Sequence, residues 1–354
     1  MVNRFQTSEL PISEHLVNVW TARYLSNSVI YSHNSSPGNT ANPSSYALED
    51  FASAQGRRQT CGSFSGYVTQ QSCKRAALRT KELYTNHADL DLTNVADLAK
   101  FSIEVYPVLL SFYQAHTPIV VTTQVSQPTL RNQQTKVFAI PEITKLAQTL
   151  DPFLSAFKTQ HAIDTDWQTR SFLSTQLNLG NGLLLETLSI AEKILLAPYF
   201  YFLEEYAAIP WSQFFATVAN HEPASPTLRV VERLLPKVTE ISHAVYDQWS
   251  RLFKLYYSRR GSLDNPAVKH SSVRDFSMFQ VYLWLCVLQG NLGAMERELL
   301  VLSRLMYGGI GIPWEMTVKG TKLLAKEIID ALEPHEQALV SPYTDGMVQL
   351  FASQ

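Results

Sequence analysis

The side chains that could do chemistry in this chain are two N-terminal thiols and one Arg-Asp pair. Cys61 and Cys73 are separated by 11 residues and have Arg57, Arg58, Lys74, Arg75, Arg79 and Lys81 around them. Neighbouring cations favour the thiolate, the reactive form of cysteine. The pair therefore suggests a catalytic nucleophile or a regulatory disulfide, beside the plainer reading of two ordinary cysteines in a loop-rich region. A thiol enzyme would also need a histidine within hydrogen-bond reach. Metal chemistry is poorly supported: there is no Cys-x-x-Cys, and the nine histidines form no i, i+4 pair. His243 has no visible partner that would make it a haem ligand. Gly308-Gly309-Ile310-Gly311 follows a helix instead of a strand, so a turn is expected there, not a phosphate loop. Cys286 sits among Leu285, Val287 and Leu288 and reads as core.

The elements that would position these groups follow from composition and punctuation. Of 354 residues, 45% are apolar and 17% charged, enough apolar surface for a large core. Net charge is −2, which argues against a nucleic-acid partner. The N-terminus lacks a signal-peptide layout, and the runs ILLAPYFYFL and VYLWLCVL are too short to span a bilayer. A soluble, cytoplasmic protein with no transmembrane segment is expected. In residues 26–45, 15 of 20 positions are Ser, Asn, Pro, Gly or Thr, which predicts a long loop or mobile arm. With the basic stretch that follows, this arm (26–81) is expected to order on an acidic partner surface or on anionic lipid. Alternation in Thr117–Val125 and an apolar run at Lys136–Ile140 predict one β-hairpin, the only regular sheet.

After Pro141 the periodicity turns helical. Helices are expected over Pro141–Phe157, Trp167–Leu177 and Leu183–Glu205, the last kinked or split by Pro198. The aromatic run Tyr199–Phe202 would be core or subunit interface. A further helix should start at Ser225-Pro226, bend at Pro236 and stop before Gly261. Others should cover about Ser272–Gln289, Leu292–Tyr307 and Pro313–Leu332. The resulting division is a loop-rich region with helices and a hairpin over 1–140, and a helical region over 141–354.

From about Thr227 to Leu332 the order of marks resembles a phycobiliprotein subunit of the α-phycocyanin type. The marks are Arg274-Asp275, the apolar stretch Tyr282–Cys286, Gly290, Met295-Glu296, Pro313-Trp314, and Lys319 with Lys322. The resemblance implies a mainly α, globin-like fold and a role in light harvesting. It also implies a tetrapyrrole site, and there the chain departs from the family. Where bilin-carrying subunits have the attachment cysteine, two residues before the arginine, this chain has Ser272. A hydroxyl cannot replace a thiolate in forming the thioether, so no covalent bilin is expected there. Pigment on Cys61 or Cys73 would mean a relocated attachment site. A non-covalent bilin remains conceivable, with Asp275 accepting from pyrrole N–H groups, Arg274 pairing with a propionate, and Ser272 and Trp314 nearby. The competing reading makes Arg274-Asp275 an ordinary helix start.

The expected function is that of a phycobilisome-associated structural or regulatory protein rather than an enzyme. Its partners would be phycobilisome or photosystem proteins, with peripheral contact at the cytoplasmic face of the thylakoid membrane. The alternatives are a helical sensor or scaffold that binds proteins only, and a thiol-dependent enzyme using Cys61 or Cys73.

Overall fold

A computed structural model describes residues 14–25, 45–84, 92–124, 134–162 and 167–354. Most of the Ser/Asn-rich tract (26–44) and the middle of the expected flap (125–133) lie outside the described residues. Helices dominate the rest. The first half contains α1 (Glu14–Arg23), α2 (Ser45–Ala52), α3 (Ala54–Gly62), α4 (Gly66–Tyr84) and α5 (Leu92–Ala115). The antiparallel strands β1 (Ile119–Gln124) and β2 (Gln134–Ala139) follow, with Ile119 opposite Ala139. Then come α6 (Ile143–Gln160), α7 (Trp167–Leu185), α8 (Ile190–Ala208) and α9 (Trp211–Val218).

The second half contains α10 (Pro226–Leu234), α11 (Val238–Leu252), α12 (Pro266–Gln289), α13 (Leu300–Ile310), α14 (Trp314–Asp330) and α15 (Pro334–Ala352). The mainly helical fold read from the sequence is therefore the fold of the protein. Gly290 and Gly311 end α12 and α13 in the left-handed conformation, at φ 71° and 80°. Only glycine adopts that geometry without a Cβ penalty.

Several boundaries differ from expectation, each for a local reason. Pro198 lies inside a continuous α8. The break falls earlier, at Ser189, which forms a capping box with Glu192 and starts a new helix. Pro236 does more than bend its helix: a 3₁₀ turn over Leu235–Lys237 separates α10 from α11. The second of these ends at Leu252, well before Gly261. The intervening chain forms a second, two-residue antiparallel pair, β3 (Tyr257–Ser258) with β4 (Gly261–Ser262), so the first hairpin is not the only sheet. Helix α12 begins at Pro266, where Asn265 caps it by accepting from the Ala267 amide. A π turn over Met295–Leu299 leads into α13. Helices α1, α2, α3, α9 and α15 match no helix singled out in the sequence. The last opens with a capping box between Glu333 and Glu336.

The central element is α12. From Ser277 to Leu288 every side chain is buried, because α9, α10, α11 and α15 pack around it. One hydrophobic cluster runs from Leu16 and Trp20 through Phe200 and Phe202 to Trp284, Met347 and Phe351. Tyr199, Phe200 and Phe202 lie within this interior, so three of the four aromatics are core, while Tyr201 is half-buried beside His270. The basic stretch of the proposed arm is also partly built in. Leu48, Ala52, Phe64 and Cys73 join the same cluster, and Arg57 is buried, donating to the carbonyls of Ala52 and Gln114. Residues 45–81 are thus not a separable arm, because their apolar faces are covered only by packing on α5, α7 and α8.

Candidate functional site

Arg274 and Asp275 stand two turns inside α12 and not at its start. The helix-start reading is therefore overturned: the dipole effect fades beyond the first turn. Arg274 is buried. Its Nη1 donates to Glu204 Oε1 at 2.7 Å, and its Nε and Nη2 donate to Asp275 Oδ1 at 3.1 and 2.7 Å. The second oxygen of Asp275 accepts from the Tyr307 hydroxyl at 3.3 Å.

Glu204, on α8, is the hub of this network. Besides Arg274 it faces His270 Nε2 at 3.2 Å, and it accepts from the amides of Asn178 and Asn181 on α7. Tyr106 of α5 donates to Asn181 Oδ1 at 2.8 Å. Arg260, after β3, reaches inward to Asn178 Oδ1 at 2.5 Å and to Ser271 Oγ at 2.8 Å. Burial alone would raise the Glu204 pKa, but His270, Arg274 and Asn178 outweigh it and hold the carboxyl down at about 2. Burial lowers the Arg274 pKa, and Asp275 and Glu204 more than reverse this, so the guanidinium stays charged.

None of these partners is visible in the sequence as a site. The one signal is that the apolar run of α8 ends in two adjacent carboxylates. Both are used: Glu205 pairs with Arg23 at 2.6 Å and accepts from the Tyr24 hydroxyl, while Glu204 takes Arg274.

The remaining expected site residues separate. Ser272 and Asp275 share the wall of a cavity of about 50 Å³ between α11, α12 and α14, with Trp249, Phe276, Tyr307 and Gly320. Trp314 does not line it. Its ring stacks on Phe351 at 5.5 Å, and its indole N–H donates to the Phe351 carbonyl at 2.9 Å. A larger cavity of about 330 Å³ also touches Asp275 and is lined by Lys158, Arg170, Tyr206, Tyr282 and Glu298.

The thiols are not activated. Cys61 and Cys73 lie on α3 and α4, where burial pushes their pKa values up to about 11 and about 12. Arg57 pulls Cys61 down, but by less than burial raises it. The basic flanks seen in the sequence therefore do not generate a thiolate at neutral pH. Cys286 is fully buried core, as its neighbours imply. Among the described residues no group of His, Cys, Asp and Glu could hold a metal ion. No helix among them is long and apolar enough to cross a membrane.

Residues 216–350 match the family model described as Phycobilisome protein. The C-terminal region is phycobiliprotein-type. No curated protein matches the chain, and no solved structure does. The match covers α10 to α15 almost entirely, which gives this helical array the globin-like phycobilisome architecture. Glu204, Asn178 and Asn181 precede the matched segment. The Arg-Asp pair of the phycobilisome region is thus bonded to residues from outside it. Fitted to the pigment that the family implies, the site is narrow on the Ser272 side of Asp275 and already engaged at Arg274. Pockets that hold drug-sized ligands measure roughly 300–1,000 Å³; the 50 Å³ beside Ser272 and Asp275 is far less, while the 330 Å³ cavity that Asp275 also borders reaches that range. The guanidinium that would meet a propionate already donates from each of its three nitrogens to two carboxylates, Glu204 and Asp275.

Proposed function

We propose that this phycobilisome-related protein is a structural or regulatory component without covalent bilin, which docks to the antenna or to a photosynthetic membrane complex by protein contacts. The observation that carries the reading is the Arg274–Glu204 bond. It turns the group that would serve a pigment into a tie between α12 and α8. Serine at position 272 supports the same conclusion, since it offers no thiolate for attachment. The depressed reactivity of Cys61 and Cys73 favours docking over a thiol enzyme. The place of action is the cytoplasm, at the face of the thylakoid where such complexes sit.

Two measurements test this. Purified protein titrated with phycocyanobilin, wild type beside Asp275→Ala, should show no saturable absorbance change in either form. Binding by wild type that weakens tenfold in the variant would restore the pigment reading, as would tetrapyrrole on a peptide containing Ser272, Cys61 or Cys73. Tagged protein should co-purify with phycobilisomes or photosystem complexes from a source that makes them. Recovery with neither would remove the docking role.

A further inference from the structure

The end of α11 and the turn that leads to β4 carry three exposed large apolar side chains, two of them the most exposed among the described residues. Leu255 is 98% exposed, Tyr257 74% and Leu252 56%. All three fall in RLFKLYYSRR, residues 251–260, which holds four cations and no carboxylate. Arg260 points inward to Asn178, which leaves Arg251, Lys254 and Arg259 at the surface around the three apolar groups. The nearest carboxylates in sequence are Asp247, paired with Lys269, and Asp264.

The turn is held rigidly from behind. The Tyr256 hydroxyl donates to the Gly311 carbonyl at 2.6 Å, and Arg259 Nη1 donates to the Leu83 carbonyl of α4 at 2.9 Å. The Ser258 hydroxyl donates to the Gly261 carbonyl at 2.9 Å. A turn fixed at its base keeps its apolar tip in water only at a cost.

We infer that residues 251–259 are a membrane-contacting turn, which places Leu252, Leu255 and Tyr257 in the headgroup–acyl boundary of an anionic bilayer. Arg251 and Lys254 would then meet lipid phosphates. Charge selects an anionic surface, and shape selects lipid over protein. A stable protein interface takes about 20–30 residues a side, whereas one convex turn offers a handful. A bilayer deforms around a protruding leucine, and tyrosine suits the interfacial zone. Cations beside the surface add attraction to anionic lipid that falls with salt.

This inference deepens the proposed membrane-side location, and its test uses the isolated full-length chain, so it stands or fails independently of antenna binding. The protein is sedimented with vesicles of phosphatidylglycerol and phosphatidylcholine in equal parts, and with phosphatidylcholine alone. At least tenfold stronger partitioning to the mixed vesicles is expected. Leu252→Ser with Leu255→Ser should lower that partitioning about tenfold with an unchanged far-UV circular dichroism spectrum. Lys254→Glu should abolish the preference for anionic vesicles. The inference is overturned if the mixed vesicles fail to bind the protein, or if the leucine pair leaves binding intact. It is also overturned if wild type is a dimer that Leu255→Ser dissociates, because the turn would then join two copies of the chain.

Discussion

Arg274 on α12 and Glu204 on α8 meet at 2.7 Å across 70 positions of sequence, both out of contact with water. A buried pair of this kind adds little over a well-packed apolar pair, yet losing one partner strands a charge and costs about 3–5 kcal/mol. Glu204→Ala and Arg274→Ala should each lower the unfolding free energy from urea titration by that much. Glu204→Leu combined with Arg274→Met should recover more than half of the loss. If the double variant is as unstable as the sum of the singles, the two residues do not act as a pair.

The same carboxyl sets an acid limit. Its pKa is about 2 in the folded chain against an ordinary 4.5. Because the folded value is depressed, the stabilisation is complete above about pH 4.5 and is lost as pH falls towards 2. The size is roughly 3 kcal/mol, at about 1.4 kcal/mol per pH unit. Glu204→Gln should flatten the stability–pH curve between about pH 2 and 5. An unchanged slope in urea unfolding at several pH values would show that other carboxyls govern acid unfolding.

Lys158 predicts the opposite sign. Burial and the neighbouring Arg170 push its amine down to about 8, against partial support from Glu298 and Asp151. The unfolded chain therefore holds this proton more tightly, and stability rises with pH between about 8 and 10.5. Lys158→Met should stabilise the protein by about 1–2 kcal/mol at pH 7, with the cavity water moderating the effect. The gain should shrink by pH 10, measured as the difference in urea midpoints.

The thiols give a chemical readout. With pKa values near 11 and 12, Cys61 and Cys73 should react with iodoacetamide at pH 8 at least tenfold more slowly in the folded protein than in urea. Mass spectrometry of timed samples decides this, and rapid labelling of Cys61 in the native state would reopen the nucleophile reading.

Gly309 tests the contact between α13 and α4. A Cβ there would overlap the Tyr84 ring, which is buried and stacked near Phe172. Gly309→Ala should cost about 1–3 kcal/mol by overpacking. Tyr84→Leu should relieve part of that penalty in the double variant.

The sequence disclosed what local chemistry decides. Pro226 at a helix start and Gly290 at a helix end are punctuation, and both fell where the backbone requires it, whereas the turn expected at Gly308–Gly311 is the last turn of α13, which stops only at Gly311. Periodicity gave the helical second half, and the order of marks from Arg274 to Lys322 pointed to the family whose model residues 216–350 match. The use of Arg274 was not legible, because its partner lies 70 residues away and a glutamate at the end of an apolar run looks like a boundary. The thiol environment misled for the same reason. Six neighbouring cations are countable in the sequence, but only folding shows that Cys73 is buried and Arg57 turned to backbone carbonyls. Pro198 was misleading in a third way, since packing on both faces of α8 overrides a weak local break.

The interlock of α12 with the earlier helices also sets a timetable for synthesis. Translation runs at about 5–20 residues per second, so roughly 4–14 s separate the emergence of Glu204 from that of Arg274. During that interval the nascent chain carries on α8 a carboxylate whose buried cationic partner has not yet been made. Slowing the ribosome between codons 204 and 274 would be expected to lower soluble yield without altering a single contact in the finished molecule.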